Sequence, residues 1–111
     1  MTENKRIEYN WGHMLWWLDG TAEDRPDIST AKMVLNPNAI SEEHFHNNCY
    51  EFILVNQGIV EIVLNGVSNS LEKNNTILIP PNTNHYVINK TDEEADLTIV
   101  YSAAVRNYST P

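Results

Sequence analysis

Three of the chain's four histidines fall in two short segments whose spacing suits a metal ion. The first segment is His44-Phe45-His46-Asn47-Asn48-Cys49-Tyr50-Glu51. Side chains at i and i+2 of a strand point to one face, so His44 and His46 share a side. Glu51, five residues beyond His46 at the head of the next apolar run, can reach the same point. His85, in Pro80-Pro81-Asn82-Thr83-Asn84-His85, brings a third imidazole from a distant strand. Three imidazoles and one carboxylate suit a divalent transition metal (Fe, Mn, Ni, Co or Zn) and leave one or two coordination positions for a ligand or for chemistry. A surface His-x-His beside a Glu is often incidental. Here Glu51 opens Glu51-Phe52-Ile53-Leu54-Val55, which reads as a buried strand, and an ionised carboxylate is costly to bury without a partner.

The elements that must position these groups read as strands. Apolar or alternating runs arrive at short intervals: 30–35, 41–46, 50–56, 59–64, 67–71, 76–79, 85–89 and 97–102. Between them lies turn chemistry: Asn36-Pro37-Asn38, Asn56-Gln57-Gly58, Asn65-Gly66, Lys73-Asn74-Asn75 and Pro80-Pro81-Asn82. Asn65-Gly66 between two apolar runs is a two-residue hairpin signal. In the run at 30–35, Ala31, Met33 and Leu35 share one face. No stretch carries a helical period of useful length. The expected fold is all-β, one antiparallel sandwich or barrel over residues 1–111 with its core at about 28–102. Residues 1–10 read as polar and loosely held, and the tail 103–111 as polar surface chain. All three tryptophans lie between Trp11 and Trp17, an aromatic segment (9–18) expected to pack on the barrel or on a partner subunit.

Composition narrows the partners. The 111 residues make one domain with one core. Fifteen acidic against seven basic residues give a net charge of -8, with no Lys/Arg cluster to hold phosphates, so nucleic acid and anionic membranes are not expected partners. No apolar run approaches a membrane span, and the first residues, Met1-Thr2-Glu3-Asn4-Lys5-Arg6, lack the apolar core of a signal peptide. The single Cys49 can form no internal disulfide. A cytoplasmic location is expected.

The residues resemble the cupin superfamily, small metal-binding jelly rolls with two motifs, G-x5-H-x-H-x3,4-E-x6-G and G-x5-P-x-G-x2-H-x3-N. His44, His46 and Glu51 fill the ligand positions of the first motif and Gly58 its closing glycine. Pro80, His85 and Asn89 fill the Pro, His and Asn of the second. Three expected glycines are instead Asn38, Asn74 and Asn82. Asn also visits the left-handed region, so the swap keeps the turns. The resemblance implies an antiparallel jelly-roll β-barrel of the single-domain, RmlC-like type 2 kind, with His44, His46, Glu51 and His85 as metal ligands. It implies no single function, because cupins include isomerases, epimerases, dioxygenases, decarboxylases, lyases and sugar-binding regulatory domains.

Two functions stay open. One is a metal-dependent enzyme (isomerase, lyase or dioxygenase) acting on a small oxygenated metabolite such as a sugar, sugar acid or hydroxy-carbonyl compound. The other is a non-catalytic ligand-binding or sensor cupin. Catalysis would need a base, and His13, Tyr50, Tyr86, Tyr101 and Glu61 are open candidates, each also readable as structural. Cys49 shares parity with Glu51 and reads either as a pocket residue or as a buried, inert thiol. The tryptophans read either as a cap on the barrel mouth or as core and dimer contacts. Lys32 and Arg106 are the basic residues available to an anionic ligand. Apolar residues on both faces of 51–55 and 77–79 suggest a homodimer. The acidic loop at 21–29 is expected to border the pocket mouth as a lid.

Overall fold

The computed structural model describes residues 5–19 and 27–111, and its described residues contain strands and no helix. The strands are β1 (Lys5–Tyr9), β2 (Gly12–Leu18), β3 (Ser29–Leu35), β4 (Glu51–Gln57), β5 (Ile59–Leu64), β6 (Val67–Glu72), β7 (Thr76–Ile79), β8 (His85–Ile88) and β9 (Ala95–Tyr101). They form two antiparallel sheets, ordered β1-β2-β3-β9-β4-β7 and β6-β5-β8. This is the expected jelly roll.

Period-two patterning builds the core. Ala31, Met33 and Leu35 of β3, Ile53 and Val55 of β4, and Leu97 and Ile99 of β9 are buried, while their strand neighbours, apart from the buried Val34, face outward or are half-exposed. β5 adds Val60 and Ile62 from the facing sheet. Turn chemistry sets the registers. Asn65 and Gly66 both take positive φ, 47° and 83°, between paired Leu64 and Val67, the primed turn that matches strand twist. Asn38, Asn74 and Asn82 take φ of 59°, 71° and 62°, so asparagine does stand in the left-handed conformation where the motifs carry glycine. Gly58 has less room for such a replacement: at φ 93° an added Cβ would stand 3.1 Å from the Ala95 Cα.

Four expectations need correction or completion. The strand expected at 41–46 is not a regular strand; the segment touches its neighbours only by bridges, Ile40 to Ile88, His44 to His85 and Phe45 to Ser109. The cause is an excess of chain. Ser41 and His44, three apart, meet Val87 and His85, two apart, and the Ser41 hydroxyl takes the Val87 N–H that a ladder carbonyl would have taken. Residues 5–9, expected to be loose, form β1 as a hairpin on β2, with Ile7 packed against the core. The tail is mostly exposed, yet Phe45 and Ser109 exchange both backbone hydrogen bonds, at 2.8 and 3.0 Å. Trp11 and Trp16 of the aromatic segment lie in the chain's own core, whereas Trp17 is half-buried outside it. The lid expected of the acidic loop falls largely on 20–26, outside the described residues. No described helix is long and apolar enough to cross a membrane.

Candidate metal centre

Each member of the expected set is placed by a different constraint. Glu51 is the first residue of β4, opposite Tyr101 of β9 and Ile79 of β7, and its inward parity buries it. His85 is the first residue of β8, delivered by the Pro80–Asn84 turn, whose Asn82 N–H donates to the His46 carbonyl at 2.7 Å. His44 and His46 come from the bulged segment, and their same-side disposition survives its irregularity. One ligand atom from each of His44, His46, Glu51 and His85 lies within 4.8 Å of the others. Asn89, the last motif residue, belongs to the scaffold. Its carboxamide donates to the carbonyls of Glu93 and Asn36 and accepts from Thr91.

The hydrogen bonds fix the tautomers. Nδ1 of His44 faces the Glu42 carbonyl at 2.9 Å, Nδ1 of His46 the Asn107 carbonyl at 2.8 Å, and Nδ1 of His85 the Thr83 carbonyl at 2.9 Å. A carbonyl only accepts, so each Nδ1 carries hydrogen and each neutral ring keeps its lone pair on Nε2. His85 Nε2 meets Glu51 Oε1 at 2.9 Å. His46 Nε2 stands 3.3 Å from the same oxygen without hydrogen-bond geometry, and it is a buried nitrogen with no hydrogen-bond partner. Such an atom is costly unless something electropositive meets it. The donor set and this unpartnered nitrogen therefore fit a metal cation.

Electrostatics follow from burial and crowding. Burial, then the neighbouring His85, pulls His44 down to about 4. Burial alone would raise Glu51, but the imidazoles of His46 and His85 outweigh it and hold the carboxyl at about 2. For His85 burial works downward, and the hydrogen bond and charge of Glu51 prevail, leaving it raised. Burial pushes the Tyr101 phenol well above its ordinary range, with the Glu51 charge adding to it.

The cluster opens into a pocket of about 630 Å³ walled by Trp11, Trp16, Met33, Ile99, Tyr101 and Tyr108 among others. Of the base candidates read from sequence, only Tyr101 lines it. Cys49 is in the core and its thiol is raised by burial, which is the inert reading. Trp11 and Trp16 combine both of their readings, as core residues that also wall the pocket, whereas Trp17 does not line it. Lys32 is tied to Asp96 at 3.0 Å, and Arg106 lines the pocket.

Sequence reading missed the tail's part in the site. Tyr108 stacks on His44 at 4.5 Å and 16°, and its hydroxyl donates to Glu42. The Asn107 carbonyl orients His46. The available signal was slight: Tyr108 is the one aromatic residue of 103–111, and Arg106 alone of the tail was a candidate from sequence.

The profile of the cupin domain family matches residues 31–101. No curated protein matches at the sequence level. Among solved structures, a mutant of the Bacillus subtilis oxalate decarboxylase superposes with a TM-score of 0.84 at 18% identity, over 96% of this chain and 29% of that one. The plu4264 protein of Photorhabdus luminescens gives 0.74 at 26% identity, over 87% of this chain and 79% of that one. A sugar phosphate isomerase from Silicibacter pomeroyi gives 0.66 at 22%, over 79% and 58%. The chain thus spans less than a third of the decarboxylase, and it spans 46% of an oxalate oxidase that it also resembles.

Proposed function

The chain belongs to the cupin family, and we propose that it holds one divalent transition metal ion with His44, His46, Glu51 and His85 and binds a small oxygenated metabolite there. One observation carries the reading. Three backbone carbonyls turn three Nε2 atoms toward one carboxylate, and the buried His46 Nε2 has no other partner. An ion held by these residues would supply Lewis-acid polarisation of a ligand carbonyl. The residues around it do the rest. Glu42 and Thr83 orient the imidazoles beside the pocket, and the walls of Trp11, Trp16, Met33 and Ile99 exclude water from one side of a ligand. Sugars, sugar acids and hydroxy-carbonyl compounds carry the vicinal oxygens such a site would chelate. Cytoplasmic residence belongs to the same reading.

An enzymatic role of the isomerase, lyase or dioxygenase type fits this centre. A non-catalytic binding or sensor role is favoured by a specific observation: the base candidate on the pocket wall, Tyr101, is a phenol that burial makes hard to ionise. Glu42 is the pocket carboxylate outside the four-residue cluster, and Tyr108 engages it. Turnover of a panel of hydroxy acids and sugar acids by metal-loaded protein separates the two roles.

Assembly belongs to the proposal as well. With Trp11 and Trp16 committed to the core, the outer face of β4 and β7 becomes the candidate homodimer surface, where Phe52 pairs with Leu78, 36% and 56% exposed.

The test of the metal reading is elemental analysis. Wild-type protein should carry about one transition ion per chain, and His46→Ala should lose most of it, since losing one of four ligands removes much of the binding free energy. Failure to take up Fe, Mn, Co, Ni or Zn would defeat the reading.

A further inference from the structure

Arg106 brings a cation into a pocket whose other charged side chains, apart from the histidines, are the carboxylates Glu42 and Glu51. Its guanidinium carbon lies 3.8 Å from the Trp16 ring centroid and 4.9 Å from that of Tyr101, so two pocket walls hold it in place. Trp16 and Tyr101 in turn pack on one another at 5.8 Å. Arg106 Nη1 donates to Ser29 Oγ at a long 3.3 Å, and Ser29 Oγ donates to the Ala103 carbonyl at 2.9 Å. A guanidinium has five N–H donors, and this one has a single long hydrogen bond.

None of the ion pairs among the described residues involves Arg106. That is unexpected in a chain of net charge -8, where the exposed Lys90 has Glu61 and the part-exposed Lys32 has Asp96. The pocket's own carboxylates are otherwise engaged, Glu42 by Tyr108 and Glu51 by the imidazoles. A half-buried, aromatic-stacked guanidinium with unused donors is built for a planar bidentate acceptor, and its natural complement is a carboxylate.

We infer that Arg106 is the specificity-determining residue of this pocket, binding a distal carboxylate of a small hydroxy- or oxo-acid whose other oxygens lie at the His44–His46–Glu51–His85 cluster. The inference rests on the metal reading and narrows its ligand class to anionic metabolites with a second acidic group. Neutral sugars satisfy the cluster and leave Arg106 unpaired. Monocarboxylates satisfy one end of the pocket only.

Two probes isolate the distal group: malate, and lactate, which keeps the hydroxy-acid end and lacks the second carboxylate. Their affinities for metal-loaded protein are measured by calorimetry, with bound metal determined on the same samples. Wild type should prefer malate by on the order of tenfold or more, as a charge-assisted bidentate contact implies. Arg106→Gln should bring malate down to the lactate level at unchanged metal content. Arg106→Lys, which keeps the charge and loses the fork, should fall between. An unchanged malate preference in metal-loaded Arg106→Gln, or no preference in wild type, overturns the assignment and leaves the metal reading standing. A wild-type chain that takes up no metal overturns both.

Discussion

A carbonyl can only accept a hydrogen bond, so Glu42, Asn107 and Thr83 decide where the protons of His44, His46 and His85 sit. Consequences for pH follow. In metal-stripped protein the raised His85 holds a second proton, on Nε2 against Glu51, and a metal must displace it. Metal affinity should therefore weaken as pH falls through the raised His85 value, and uptake should release more protons at acidic than at alkaline pH, read by calorimetry in buffers of different ionisation enthalpy. Stability of the stripped chain has its own signs. Glu51, held at about 2 against an ordinary 4.5, contributes stability that is present above 4.5 and lost as pH falls toward 2. His85, raised above 6.5, contributes stability that is complete below 6.5 and lost as pH rises past its folded value. His44 works against the fold: at about 4 instead of 6.5, it imposes a penalty that is absent above 6.5 and grows as pH falls to 4. Stripped His44→Gln should accordingly outlast stripped wild type near pH 4, by on the order of 2 kcal/mol relative to their difference at pH 8, in denaturant titrations. Parallel pH profiles for the two would contradict this.

At the scale of elements, the bulged segment, the Pro80–Asn84 turn and the tail hold the site, while the sheets hold those three. Removing residues 103–111 takes away the carbonyl that orients His46 and the ring stacked on His44. Metal affinity should drop by about 10- to 100-fold, the usual cost of losing outer partners, with the core strands intact by circular dichroism. Gly58→Ala should destabilise by about 1–3 kcal/mol, because φ 93° and the Ala95 backbone leave a side chain no easy place. Much of this layer was legible in the sequence. Ile59–Leu64 and Thr76–Ile79 match their expected bounds, because alternation and flanking turns agree there. The four-residue cluster was legible because its spacing survives a bulge. The bulge itself was hidden, since a chain excess appears only against the partner strand. Tail and hairpin were hidden for a related reason: β1 reads as charged chain, KRIEY, and its pairing depends on β2 being there to receive it.

At the scale of the molecule, the same sheet that carries Glu51 and Tyr101 inward presents Phe52 and Leu78 outward. If that face is the homodimer surface, Leu78→Glu should convert a dimer to a monomer in sedimentation velocity at micromolar concentration, with the fold and metal content retained. A wild-type monomer at that concentration would remove the assembly proposal and leave the metal site untouched. The centre itself is tested most directly by a crystal of metal-loaded protein measured at the metal's absorption edge. One anomalous peak is expected at about 2.0–2.2 Å from Nε2 of His44, His46 and His85 and from a Glu51 carboxylate oxygen. A peak ligated elsewhere, or a cluster in which Glu51 still bonds His85 directly with no ion between them after loading, would contradict it.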